Sequence, residues 1–235
     1  VTFDAALARF LAEHYRNLKP STQKEAKRHL ERHFLPGFRN MPLADITDED
    51  IARRLAKMDH TPGEQLHSYR VLRAFLRWCV KRRFLIHNPI ESLSRPSQDV
   101  VRDRILTDRE IRAVWHAATG SIGSIVKLLC LTAQRRTQIG SLEWAWISDT
   151  SITWPAAMMK GGREFVLPVT PMARSILEAV PRLHDTYVFP ARDRDTPYSG
   201  YSKGKRALDR AAGVTEWRIH DLRRTAATRI ASHTQ

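Results

Sequence analysis

The sequence predicts a multidomain chain: an N-terminal α domain of four helices, then a mixed, mainly helical α+β domain with a small antiparallel β-sheet. Three observations carry that reading. Apolar residues recur at helical spacing through most of the first hundred positions; a stretch with two prolines, mixed charge and few large apolar residues follows; beyond it, helical patterns resume around two short alternating segments that flank paired glycines. A chain of 235 residues is long enough for two small cores. The boundaries read as a helical domain at 1–95, a linker at 96–104 and a second domain at 105–235.

In the first domain, Phe3, Leu7, Phe10 and Leu11 form the stripe of an opening helix, and Lys19-Pro20-Ser21 breaks it, with Ser21 as a possible cap. Ala26, Leu30 and Phe34 line a second helix that Pro36-Gly37 is expected to end. Thr47 precedes the acids Asp48, Glu49 and Asp50, the pattern of a capped N-terminus, and Ile51, Leu55 and Met58 follow on one face. Leu66, Tyr69, Leu72, Phe75, Leu76 and Val80 mark a long fourth helix from about 64 to 83 that also carries Arg70, Arg73, Arg77, Lys81, Arg82 and Arg83.

The second domain restarts at Thr107-Asp108-Arg109-Glu110, a capping box. Helices are expected at 108–118, 122–132, 135–143, 171–179, 200–212 and 221–232. Ser151–Pro155 and Arg163–Pro168 read as strands of a hairpin around Lys160-Gly161-Gly162. Cys79 and Cys130 lie in apolar helical runs, with no CxxC and no Cys/His cluster near them. They read as small core residues, and neither a disulfide nor a structural zinc site is expected.

The composition, 42% apolar and 8% aromatic, is that of a globular protein rather than a disordered tail. No apolar run approaches the roughly 20 residues of a membrane-spanning helix. The opening Val1-Thr2-Phe3-Asp4 lacks a secretory pattern, so a cytoplasmic location is expected. A start on Val1 rather than methionine reads as a piece of a longer polypeptide.

Lys and Arg number 39 against 25 Asp and Glu, a formal charge of +14, and both halves share the excess. Such a balance favours a polyanion, and nucleic acid first. The expected DNA-approach residues in the first domain are Lys24, Lys27 and Arg28 on the second helix and Arg70, Arg73 and Arg77 on the fourth. For any one of them a solvated helix face is an equally simple role. Lys203 and Lys205, on a basic helix, are expected DNA-binding residues, and Tyr198 and Tyr201, in the polar loop before it, phosphate or packing contacts rather than catalysts.

Three segments have the chemistry of phosphodiester transesterification. That reaction needs charge neutralised on the non-bridging oxygens, a nucleophile activated and the leaving oxygen protonated; arginine's planar fork suits the first task. No Asp/Glu cluster suggests a two-metal site, so an arginine-based site without metal or other cofactor is the form expected. His220 and Arg223 share nearly one face at the start of a helix, where the dipole also favours an anion. Arg135 begins the helix bearing Ile139 and Leu142. Lys160 sits at the hairpin tip, where a lysine can deliver a proton.

Taken in order, Leu131–Trp144 with Arg135, the hairpin with Lys160 ending in Val166-Leu167-Pro168-Val169, and His220-Asp221-Leu222-Arg223-Arg224-Thr225 resemble the tyrosine recombinases, in particular phage and genomic-island integrases. The helical first domain resembles that family's SAM-like core-binding domain. The resemblance implies that Arg135 and Arg223 hold the scissile phosphate, Lys160 is the general acid toward the 5′ oxygen, and His220 assists proton transfer. It also implies a 3′-phosphotyrosyl intermediate, double-stranded DNA clamped between two domains, and a homotetramer on paired sites at the nucleoid of a bacterial host.

Three departures stand out. Ala133 occupies a position where glycine is usual, and Gln138 one where glutamate is common. All five tyrosines, Tyr15, Tyr69, Tyr187, Tyr198 and Tyr201, precede His220, whereas the family's nucleophile lies well downstream. The fragment is therefore expected to bind DNA without cleaving it, and to be a monomer off DNA. The alternatives are a non-catalytic DNA-binding protein that occupies recombination sites, and a basic nucleic-acid-binding protein whose motif matches are accidental.

Overall fold

The computed structural model describes residues 1–16, 18–96, 103–159, 161–192 and 195–233. The chain divides into two compact units, Val1–Val101 and Arg102–Gln235. Six of the residues read as linker, 97–102, lie outside the described set, as does Lys160.

The first unit is helical. Helix α1 (Phe3–Glu13) buries Phe3, Ala6, Leu7 and Phe10. Helix α2 starts at Pro20 rather than being capped by Ser21: proline occupies the first turn, where its missing N–H costs nothing (Pro20–His29). The expected stop at Pro36-Gly37 does not occur there. A π turn at Leu30–Phe34 widens the helix, the Leu35 N–H donates back to Leu30 O, and a further turn, α3 (Leu35–Phe38), takes Pro36 into its start. The widened turn shifts the hydrogen-bond register, so no donor is missed at Pro36.

Helix α4 (Asp48–Ala56) starts at the expected Thr47 cap, which here forms a full capping box: Thr47 accepts from Asp50 N–H while the Asp50 carboxylate accepts from Thr47 N–H. Helix α5 (Pro62–Lys81) crosses the unit, and Phe75, fully buried, meets Phe3 and Phe10 edge-on at 5.1 and 5.2 Å. Such pairs contribute about 0.5–1.5 kcal/mol each beyond their area. Cys79 is buried in this core, and burial pushes its thiol up to about 12.

The second unit opens with α6 (Asp108–Ala117), whose Thr107/Glu110 capping box is also formed. Glu110 is held at about 2, mainly by Arg104 and then by Thr107 N–H. Helix α7 (Gly120–Thr132) is the central apolar helix, burying Ile125, Val126, Leu128 and Leu129. Helix α8 (Arg136–Gly140) is much shorter than the expected 135–143. The two strands β1 (Ser151–Trp154) and β2 (Phe165–Pro168) pair antiparallel with Ser151 opposite Pro168 and Trp154 opposite Phe165. Helices α9 (Pro171–Glu178), α10 (Tyr201–Ala212) and α11 (Ile219–His233) complete the unit. Both α10 and α11 pack on α7. Cys130 is a free thiol on α7, as Cys79 is on α5.

Candidate active site and nucleic-acid surface

The second unit's candidate site is assembled from the N-termini of two helices. Chain direction reverses after α7 at Ala133, which adopts left-handed backbone at φ 51° and accepts no help from a missing Cβ. That conformation costs an L-residue about 1–2 kcal/mol, part of which glycine would return as unfolded-state entropy. Ala133→Gly is therefore expected to raise the stability of this unit by about 0.5–1 kcal/mol, a shift of a few degrees in thermal melting. A lower midpoint would show that the turn is not strained.

Two residues on, Arg135 stands at the N-cap of α8. Gln138, nearly fully buried, does not support the Arg135 guanidinium. Its amide oxygen accepts from the Arg135 backbone N–H at 3.0 Å, and its Nε2 donates to Met159 Sδ at 3.2 Å, so one carboxamide ties the arginine's backbone to the residue before Lys160. Beneath α8, the fully buried Trp154 donates from Nε1 to Gln138 O at 3.1 Å. Tyr201 closes the other side. Its hydroxyl donates to Arg136 O at 3.3 Å, its ring lies 4.6 Å below the Arg136 guanidinium, and a Cβ on Gly140 would stand only 1.6 Å from its hydroxyl oxygen. Burial pushes Tyr201 up to about 12, and Tyr198 also upward, the opposite of nucleophile activation.

Helix α11 supplies the second half. Asp221 accepts from Arg218 N–H at 2.8 Å, fixing the first turn that carries His220 and Arg223. Thr225, fully buried, donates to Asp221 O and accepts from Leu106 N–H at 3.0 Å, which anchors the helix to the start of the unit. His220 is exposed and lines a cavity of about 540 Å³ together with Arg135, Arg136, Tyr201, Lys205 and Trp217. Arg223 is half-buried. Its pKa is lowered first by desolvation and then by the charge of Arg135, so the two guanidiniums lie within electrostatic reach of each other. Among the described residues, no carboxylate pairs with either arginine. Lys205 sits over the Trp217 ring at 4.0 Å and bonds Asp209, whereas Lys203 is exposed on α10 and does not line the cavity.

In the first unit, Arg70, Arg73 and Arg77 line one groove on α5 with His14, Lys81 and Arg95, a cavity of about 460 Å³. Glu91 lies against it. Arg73 and then Arg77 hold the Glu91 carboxyl down at about 2, with Arg73 at 2.7 Å and Arg77 at 2.9 Å. Sequence reasoning missed this carboxylate because it comes from a separate turn, Pro89–Ser92. Lys24, Lys27 and Arg28 do not join the groove. Lys27 faces Glu31 at 3.8 Å, and Arg28 grips both oxygens of Glu64, at 2.7 and 3.1 Å. A further cluster, His29, His33 and Glu64, was also missed; its signal was the His-x-x-x-His spacing on one helical face.

The description "Phage integrase family" matches residues 104–234, and "Phage integrase, N-terminal SAM-like domain" matches residues 2–58. Among characterised proteins, the chain is 27% identical over 221 residues to prophage integrase IntZ of Escherichia coli K12, covering 89% of this chain and 55% of that protein. It is 26% identical over 162 residues to prophage integrase IntF of the same strain, covering 62% of this chain and 34% of that one. The chain thus spans about half or less of the length of these relatives. Its fold is similar to that of lambda integrase residues 75–356, crystallised as a dimer bound to a COC′ core site (TM-score 0.78, 19% identity, 99% of this chain and 94% of that one). It is also similar to the Tn1549 transposon integrase, residues 82–397, in complex with circular intermediate DNA (TM-score 0.70, 14% identity, 99% and 88%).

Proposed function

The chain belongs to the phage integrase family, and from that premise we propose that it is the DNA-binding and partial catalytic region of a site-specific tyrosine recombinase of a mobile element. The observation that carries this reading is the pair Arg135 and Arg223. They sit at separate helix starts; burial and the charge of Arg135 both disfavour the charged Arg223 guanidinium, and among the described residues no carboxylate pairs with either, an arrangement that an incoming phosphate relieves.

In the proposed reaction, a tyrosine oxygen attacks the scissile phosphorus, the P–O5′ bond breaks and a 3′-phosphotyrosyl ester forms. Arg135 and Arg223 take up the charge on the non-bridging oxygens, His220 orients the phosphate and assists proton transfer, and Lys160 gives a proton to the departing 5′ oxygen. Rejoining reverses each step with a new 5′ hydroxyl. The attacking tyrosine is none of the five in residues 1–235. Tyr201 is engaged with Arg136 O, its pKa is raised, and no tyrosine follows Arg223.

The α5 groove with Arg70, Arg73 and Arg77 is the proposed duplex contact of the first unit, and Lys205 a phosphate contact of the second; Lys203, exposed beside it, contributes a longer-range charge. Lys24, Lys27 and Arg28 contribute less, because none of them lines that groove. Arg73→Ala is expected to weaken DNA binding and flatten the plot of log K against log salt by about 1, and Glu91→Gln, which releases two arginines, to strengthen binding and steepen it. Equal slopes in all three proteins would remove this groove from the interface. On paired sites the full-length recombinase is proposed to act as a tetramer, and residues 1–235 alone to sediment as a monomer.

The deciding experiment incubates labelled attachment-site DNA with residues 1–235 and with a polypeptide extended to include the downstream tyrosine, then denatures both. A covalent protein–DNA species from the extended form alone, with native DNA binding by both, supports the proposal. A covalent species from residues 1–235 would place the nucleophile among the five tyrosines, and absence of DNA binding would overturn the reading.

A further inference from the structure

We propose that His29, His33 and Glu64 form a binding site for a divalent transition-metal ion of the zinc class within the helical unit. His29 is the last residue of α2, His33 lies one turn further in the π turn, and Glu64 is in the first turn of α5. His33 Nε2 is 2.8 Å and His29 Nδ1 3.7 Å from the same Glu64 oxygen, and one donor atom from each residue lies within 4.8 Å of the others. Zinc bonds of about 2.0–2.2 Å to imidazole and carboxylate require donors roughly 3.3 Å apart, so modest rotations of the partly exposed His33 and Glu64 close the set. Two histidines at i and i+4 with a carboxylate from another helix make a three-ligand site that leaves one position for water.

Arg28 now holds the carboxylate oxygen that the cation would take. Its guanidinium holds Glu64 and donates to His29 Nε2 at 2.8 Å, which puts the His29 proton on Nδ1, facing Ser68 Oγ at 2.8 Å. Metal on Nδ1 moves that proton to Nε2, which no longer accepts from Arg28. The Glu25 carboxylate, 3.8 Å from Nε2, is placed to accept it, the outer carboxylate that commonly orients a metal-bound imidazole. Arg28, a third exposed and already 3.2 Å from Glu25, retains a partner when it swings away from Glu64. The metal thus takes over the joint between α2 and α5 that Arg28 otherwise makes.

The competition gives variants of opposite sign. Zinc affinity is measured on the whole 235-residue chain by competition with a chromophoric chelator, alongside thermal melting with and without zinc. Wild type is expected to bind one ion, with melting raised. His33→Gln and Glu64→Gln should each weaken binding at least tenfold and abolish the melting shift, whereas Arg28→Met should tighten it about tenfold. His87→Gln, an exposed histidine outside the cluster, should change nothing. Binding that survives both loss variants, that falls in His87→Gln, or that does not tighten in Arg28→Met would overturn the proposal, as would no binding at all.

Discussion

Arg223→Ala, made in a polypeptide that includes the attacking tyrosine, is expected to slow formation of the covalent protein–DNA species by roughly 10²–10³-fold, the usual loss when one preorganised oxyanion donor is removed. Arg223→Lys keeps the charge but not the planar fork and should recover only part of that loss. Stability should move the other way. Folding places this guanidinium where burial and Arg135 both disfavour its charge, so its folded pKa lies below its unfolded one and the charged form costs folding energy at every pH near neutrality. The alanine variant should therefore melt at an unchanged or higher temperature. A site that is strained in favour of a ligand shows this trade; a structural arginine loses stability instead. Rates and melting temperatures measured together decide it, and a variant that melts lower while cleaving normally would remove Arg223 from the phosphate grip.

The second large effect falls on packing. Trp154→Ala is expected to destabilise the second unit by about 3–5 kcal/mol, the range for a fully buried aromatic, against a total stability of roughly 5–15 kcal/mol for a domain. Part of the effect is specific to the site. The indole N–H is the donor to Gln138 O, and Gln138 in turn holds Arg135 N–H and Met159. Trp154→Phe retains most of the ring and gives up the bond, so a loss of about 1–2 kcal/mol is expected, with a disproportionate fall in cleavage as α8 loosens. Chemical denaturation of the two variants, paired with the cleavage assay, separates the terms. A loss below 1 kcal/mol for the alanine variant would mean that the strand does not back α8 as described.

Local signals were legible in proportion to how little they depended on distant residues. The Thr47 cap, the Thr107/Glu110 capping box, the apolar stripe of α5 and the helix start at His220 rest on neighbours within a few positions, and the hairpin pairing of Ser151–Trp154 with Phe165–Pro168 on one short connection. The helix interrupted at Pro36 was not legible, because the π turn that accommodates proline is selected by burial of Leu30 and Phe34 rather than by their identity. Nor was the short α8, which ends where Gly140 meets Tyr201 from sixty residues downstream.

The candidate site divides in the same way. Residue types and order alone pointed to a basic, two-unit chain of the integrase family and singled out Arg135, His220 and Arg223 as candidate site residues, since guanidinium and imidazole chemistry belongs to the side chains themselves. Only the tertiary structure decided which charges remain available. It committed Arg28 to Glu64, set Glu91 against Arg73 and Arg77, turned Gln138 from the Arg135 side chain to its backbone, and brought Arg223 within electrostatic reach of Arg135. Charge pairing depends on distances of a few ångströms between residues far apart in sequence, and spacing along the chain carries no measure of them.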